Sequence, residues 1–369
     1  MVKIRDIETE SRSEEISNNL PFHDTCDKHS KHKKACCITN IDLEDRMTYT
    51  QVELYKTFRP LIFSMRLFGL LHIRQSNEKT KNKTRKTSLF SEIYSHCVIV
   101  ILGLNFFRML TMFNSEDGFK SSTFTKLIIT SWTLLCFCNA AAYFRACRVF
   151  HCLPEFFLEW HKIQGNACHI NLQDVRKTVI ISTVFVWIFF TFSVCSSIYA
   201  TLTTPAFDVF FTPVMYFSTE ENLFLATRLP FHIILIYLSS SWAFPSAFSF
   251  ILCRVLSKEF AYSNLCISKH IAEGGVFDGD MEICRRRHQL TCRLVSHADY
   301  VLSWFNASSY ILNVLIACLL LYNIISDQDM MKDMVILSTH IFWLVVSLMM
   351  LATVSISGAQ VNKNVSFYK

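Results

Sequence analysis

Residues 281–325 read MEICRRRHQLTCRLVSHADYVLSWFNASSYILNVLIACLLLYNII, and this stretch, from about Asp280 to Ile325, decides the fold. It contains no Pro and no Gly, so nothing in it obliges a helix to stop. Its first half sets Ile283, Leu290, Leu294, Ala298, Val301 and Phe305 at helical spacing. Arg285, Arg286, Arg287, His288 and Arg293 are expected on the opposite face. From Tyr300 onward the stretch is uncharged and apolar on every side. One unbroken helix of this extent would be about 65–70 Å long at 1.5 Å per residue, roughly twice the hydrocarbon thickness of a bilayer. One half belongs in lipid and the other in water as a basic stalk, and the rest of the chain is expected to be arranged around it.

Composition points the same way. Of 369 residues 51% are hydrophobic, with only 8 Gly and 7 Pro to make turns, and a soluble domain of this size rarely combines these. The 33 Phe read as lipid-facing filler. A formal charge of +6 could suggest nucleic acid, but the cations lie between apolar spans, where they set orientation in a membrane; no nucleic-acid partner is expected. Most of the 15 Cys fall in or near apolar spans (Cys97, Cys136, Cys138, Cys195, Cys253, Cys318) or in segments expected inside the cell. They read as small, reduced packing residues rather than a disulfide framework.

Residues 1–53 alternate charges with Ser, Asn and Thr and show no apolar period, which predicts a disordered cytoplasmic tail. The start, MVKIRDIETESRSEE, lacks the apolar core of a signal peptide. Within the tail, Cys26, His29, His32, Cys36 and Cys37 have spacings loosely compatible with zinc, but they stand among lysines without a second half-site, so a solvated basic cluster is the expectation and no metal is assigned. Residues 54–88 read as an amphipathic juxtamembrane helix, LYKTFRPLIFSMRLFGLLHI, followed by the basic linker NEKTKNKTRK, which should hold this end in the cytoplasm.

Six spans follow at about 93–113, 124–144, 179–203, 231–253, 300–325 and 334–357, making residues 89–369 a transmembrane helical domain. The first, third and fifth connections are acidic (Glu116, Asp117; Asp208, Glu220, Glu221; Asp327, Asp329, Asp333). The second and fourth carry Arg145, Arg148, Lys162, Arg176 and Lys177, then Arg254, Lys258, Lys269 and the arginines of the long helix. By the positive-inside rule both termini lie in the cytoplasm. The two inner connections are long and helical in pattern, and Asp278 or Asp280 could cap the long helix. Helices overrunning the membrane on one side must bury their apolar faces on each other, so a cytoplasmic bundle beneath the membrane bundle is predicted. The fold class is all-α, a polytopic transmembrane helical bundle with its N-terminus inside.

No phosphate-binding Gly loop, HExxH, GxSxG or intramembrane carboxylate pair occurs, so no enzyme and no cofactor is expected. Inside the spans, His96, His232 and His340, and Asn105, Asn139, Asn306 and Asn313, are expected to make interhelical hydrogen bonds that fix register in lipid. Asp299 and Arg108 sit near span ends. Pro245, in SSSWAFPSAF, should kink the fourth span and open space toward its outer side. Around it Tyr199, Tyr237, Trp242, Tyr310 and Asn313 are candidate ligand-binding residues, since an aromatic cavity with a few polar groups suits a small molecule. The bland alternative for these aromatics is an interfacial belt or helix packing.

The residues RRRHQLTCRLVSHADYVLSWFNASSYILNVLIACLLLY resemble the fifth helix of invertebrate gustatory receptors. SGAQVNKN is similar to the end of that family's sixth span, and FRPLIFSMRLFGL to its N-terminal segment. The same texture occurs in nematode relatives, including the serpentine receptors of class r. The resemblance implies a tetrameric ligand-gated cation channel of the plasma membrane, with a ligand pocket in the outer membrane half and a shared cytoplasmic anchor. The family continues into a seventh, pore-lining helix with a Thr-Tyr, apolar, Gln-Phe signature; the sequence here ends at VSFYK, so no residue is assigned to the pore. The expected function is a chemosensory receptor for a small molecule, in a homo- or hetero-oligomer within the lipid bilayer. The alternatives are a seven-helix G-protein-coupled receptor, with residues 54–73 as its first span, and a non-conducting regulatory subunit.

Overall fold

The computed structural model describes residues 53–72, 83–113, 121–148, 152–164, 172–203, 221–269, 281–326 and 333–366. The zinc-spaced cluster at 26–37, the tail of 1–52, the candidate caps Asp278 and Asp280 and most of the acidic connections lie outside these residues. Eight helices run through them, with no strand: α1 Glu53–Leu67, α2 Lys83–Leu110, α3 Ser121–Arg148, α4 Cys152–Gln164, α5 Leu172–Thr203, α6 Glu221–Lys269, α7 Met281–Ser326 and α8 Met334–Ser366.

Six of the helices, α2, α3, α5, α6, α7 and α8, are long and apolar enough to cross a membrane. The long stretch forms a single 46-residue helix, α7, as its lack of Gly and Pro permits, and α6 runs 49 residues through Pro230 and Pro245. Both outrun a bilayer by several turns at about 1.5 Å per residue. Their overrun lies on the side where α1 begins, α4 packs and α8 ends, called here the stalk side.

The buried axis of the bundle is α6 rather than α7. The most apolar window of α6 is 72% buried, against 28% for α7 and 17% for α8. The cause is a run of small residues, Ser239, Ser240, Ser241, Ala243 and Ala247, which lets neighbouring helices close on α6 from several sides. The face of α7 expected to be basic is also not wholly so. Arg287 is buried, and its Nη2 meets Glu259 Oε1 of α6 at 3.1 Å while its guanidinium lies over the Tyr262 ring. Arg285 to His288 turn through most of a helical circuit at about 100° per residue, which brings one of them, Arg287, to the core. Arg285, by contrast, is exposed and forms a two-pronged bond to Glu282, which holds that carboxyl below the usual range at the helix start. At the other end of the last connection, Asp333 caps α8, its Oδ1 accepting from Val335 N and Ile336 N.

On the stalk side, α1 and α4 pack against the bundle through Phe157, which meets Tyr55 and Phe58 edge-on; Phe58 meets Phe248 of α6 in the same way. Contacts continue through Tyr143 of α3 to Phe305 of α7. Helix α1 does not lie flat beneath this core. It rises beside α5, where Trp187 Nε1 donates to Ser64 Oγ at 2.9 Å, until Phe68 stacks on Phe244. There it stops in a Schellman turn, with Leu70 N bonded to Met65 O, Gly69 N to Arg66 O, and Gly69 at φ 67°. At 15 residues α1 is shorter than the roughly 17–25 that a helical span takes.

Candidate functional site

The site grows out of Pro245. Lacking an N–H, it leaves the Ser241 carbonyl of α6 without its helical partner. Asn139 of α3 supplies one, its Nδ2 donating to Ser241 O at 3.3 Å, and Tyr143 Oη donates to the Pro245 carbonyl at 3.0 Å. Ser309 of α7 donates to Asn139 Oδ1 at 3.2 Å, and Asn313 Nδ2 donates to Ser309 O at 2.7 Å. A polar relay therefore ties α3, α6 and α7 together at the proline.

On the other face of α6, Ala243, Ser246 and Ala247 leave a groove that no side chain of their own helix fills. With Phe250 they floor a cleft of about 310 Å³, walled by α5 and α8. Its volume lies at the lower end of the usual range for small-molecule sites, about 300–1,000 Å³. The outer wall residues Ile181, Phe185 and Met349 are 69%, 60% and 55% exposed, so the cleft opens sideways between two apolar helices, onto lipid. Phe189 of α5 closes the upper end beneath Trp242, ring centroids 6.0 Å apart, and packs on Phe342 of α8. Towards the stalk the cleft shares Ser246, Phe250, Met350 and Thr353 with a narrow recess lined by Ser249, Asn306 and Ser357. There Ser249 Oγ donates to Asn306 Oδ1 at 3.2 Å, while the buried Ser357 hydroxyl has no hydrogen-bond partner. An apolar chamber ending in one unsatisfied hydroxyl suits a small lipophilic molecule with a single polar group.

The candidate residues do not converge on this cleft. Tyr199 and Tyr310 are 59% and 49% exposed. Tyr94 donates to Leu67 O at 2.7 Å, leaving Tyr237 to donate to Tyr94 Oη at 3.0 Å, so Tyr237 is engaged within the bundle. Trp242 is buried at the head of the cleft, its indole N–H unpartnered, and Asn313 belongs to the relay with its Oδ1 unpartnered. The cleft-lining alanines and serines escaped sequence reading because they signal by what is missing; the one cue was their spacing of three and four around Pro245. Among the span polars, His232 approaches Thr201 of α5 and His340 accepts from Asn323 of α7, both at 3.3 Å across helices. Asn139 and Asn306 also bond across helices. The bonds of Asn105 to Arg108, His96 to Glu92 and Asn313 to Ser309 stay within one helix. At the far end from the stalk, Arg108 lies over the Phe231 ring, and Arg228 is buried with Nη1 on Thr201 O. Among the described residues no group of His, Cys, Asp and Glu is arranged to hold a metal.

The six-span helical bundle, with its stalk extensions and a short first helix that ends against α5 and α6, is a polytopic helical membrane fold, and it is similar to that of insect olfactory receptors of known structure. The solved structure of the olfactory receptor OR5 from Machilis hrabei in complex with eugenol superposes at TM-score 0.56 and 13% identity, over 83% of this chain and 80% of that one. OR5 without the ligand gives TM-score 0.52 and 14% identity, over 85% and 83%. No family model and no curated protein matches the sequence. The resemblance to invertebrate chemoreceptors is thus borne out at the level of fold, with olfactory receptors as the neighbours found.

Proposed function

We propose that the chain is a chemosensory receptor subunit that takes a small lipophilic molecule from the bilayer into the cleft between α5, α6 and α8. The carrying observation is that cleft, apolar along its length, open to lipid and ending in the polar recess at Ser249, Asn306 and Ser357. It sits in a fold that an odorant-binding insect receptor also has. In this reading Trp242 heads the site, and the relay from Ser241 to Asn313 carries movement of α6 to α7. The subunit works in an oligomeric ligand-gated cation channel of the plasma membrane, with the stalk and both chain ends in the cytoplasm, as the basic connections favour.

The test uses the full chain in voltage-clamped cells, alone and with a second chemoreceptor subunit, against a panel of volatile apolar alcohols, phenols and ketones. At least one member should alter current or raise the thermal stability of the purified protein, and Ala247→Phe, which fills the cleft floor, should abolish that response while the protein still folds. A panel without effect on either readout contradicts the reading, as does a response that survives Ala247→Phe.

A further inference from the structure

A second cleft, of about 790 Å³, lies on the stalk side between the first turns of α1 and α5. Its walls carry Lys56 and Arg59 from α1 and Arg176 from α5, all exposed. Among the described residues none of the three is held in an ion pair. Glu53 at the rim is the one carboxylate of the lining. The two helices enter the bundle side by side and in the same direction, since Ser64 meets Trp187 and Phe68 meets Phe190 further along. On each, the cation is followed one turn deeper by an apolar residue of the same lining that stands exposed: Phe63 after Arg59, 66% exposed, and Ile180 after Arg176, 43% exposed. Exposed Phe and Ile belong among acyl chains, which sets Arg59 and Arg176 about one helical turn, roughly 6 Å, and Lys56 about two turns nearer to water, at headgroup height.

Each half of this arrangement has an ordinary use alone, cations for solubility and apolar residues for the lipid seam. Their stacking in one cleft, at matched height on two helices, is the geometry of a phospholipid site: a basic pocket between helices above, a greasy wall below. A free anion would use the cations and leave the wall idle. We propose that the α1–α5 cleft binds the phosphomonoester headgroup of an anionic phospholipid, phosphoinositide in type, with its acyl chains along Phe63 and Ile180. Because α1 reaches Phe244 beside Pro245, such a lipid would brace the helix that backs the ligand cleft. The headgroup height rests on the membrane reading of the bundle, which incorporation into nanodiscs scores separately.

The experiment measures binding of fluorescent phosphatidylinositol bisphosphate to the full chain in phosphatidylcholine nanodiscs, whose two leaflets make it independent of orientation. Lys56→Gln, Arg59→Gln and Arg176→Gln should each weaken binding about fivefold, the worth of one juxtamembrane cation. Arg59→Lys and Arg176→Lys should restore most of it, and Glu53→Gln should strengthen it. A larger charge loss on the stalk, three cations at once by Arg286→Gln with Arg293→Gln and Lys363→Gln, should leave it within twofold. Phosphatidylserine at matched total charge should compete weakly, as should the soluble inositol trisphosphate headgroup. Equal binding to phosphatidylserine, or equal loss from the stalk triple, overturns the site in favour of diffuse attraction. A soluble headgroup as tight as the lipid overturns the lipid assignment.

Discussion

Arg287 and Glu259 meet in the stalk, where two long helices overrun their apolar spans, 28 residues apart in sequence and both almost wholly buried. Removing one partner of such a pair strands the other in a dry place. Arg287→Met or Glu259→Met should each lower stability by about 3–5 kcal/mol, whereas Glu259→Met with Arg287→Met should recover most of the loss, as read from a double-mutant cycle of thermal or denaturant unfolding. A cycle with additive losses would show that the two side chains act apart. The same logic applies at Pro245. Asn139→Leu should cost about 1 kcal/mol in the native sequence and less in a Pro245→Ala background, because an alanine there returns an N–H to the Ser241 carbonyl. Both pairs mark what a single sequence hides. Arg287 and Asn139 were visible as a cation in a basic run and a polar residue in a span, but their partners lie on other helices, and nothing local distinguishes Arg287 from Arg286.

At the scale of elements, periodicity and charge located nearly all that was regular. The six spans were legible because lipid demands about 20 apolar residues each, and the continuity of α7 because neither Gly nor Pro interrupts it. The course of α1 was not legible: its buried set, Leu54, Phe58, Leu61, Ile62 and Met65, fits a helix lying along a surface as well as one that runs up beside α5. The turn decides it. A Cβ at Gly69 would meet Val98 Cγ2 at 2.8 Å and Tyr94 at 3.1 Å, on a backbone already at positive φ. Gly69→Ala should therefore cost about 1–3 kcal/mol and loosen α1 from α5, seen as faster hydrogen exchange over residues 61–70. Exchange unchanged there would mean that the turn does not anchor α1. The small-residue floor of the ligand cleft belongs to the same class of hidden feature, since Ala243 and Ala247 look like ordinary helix residues until the neighbours they fail to fill against are known.

For the whole molecule, the apolar surface left outside is itself informative. Trp304, Ile311, Leu315, Tyr322 and Ile325 follow one another at three, four and seven residues along α7, all at least 41% exposed. Lipid alone could cover this stripe, and so could a second subunit, as the oligomer reading requires. Both depend on α7 crossing the bilayer and running on into water without folding back. That is testable by spin labels at Gln289 and Ile325 of the full chain in nanodiscs, with pulsed dipolar spectroscopy. A continuous helix separates these positions by about 54 Å at 1.5 Å per residue. A narrow distribution near that distance supports the account, and one centred below about 35 Å, as a helix broken at the bilayer boundary would give, contradicts it.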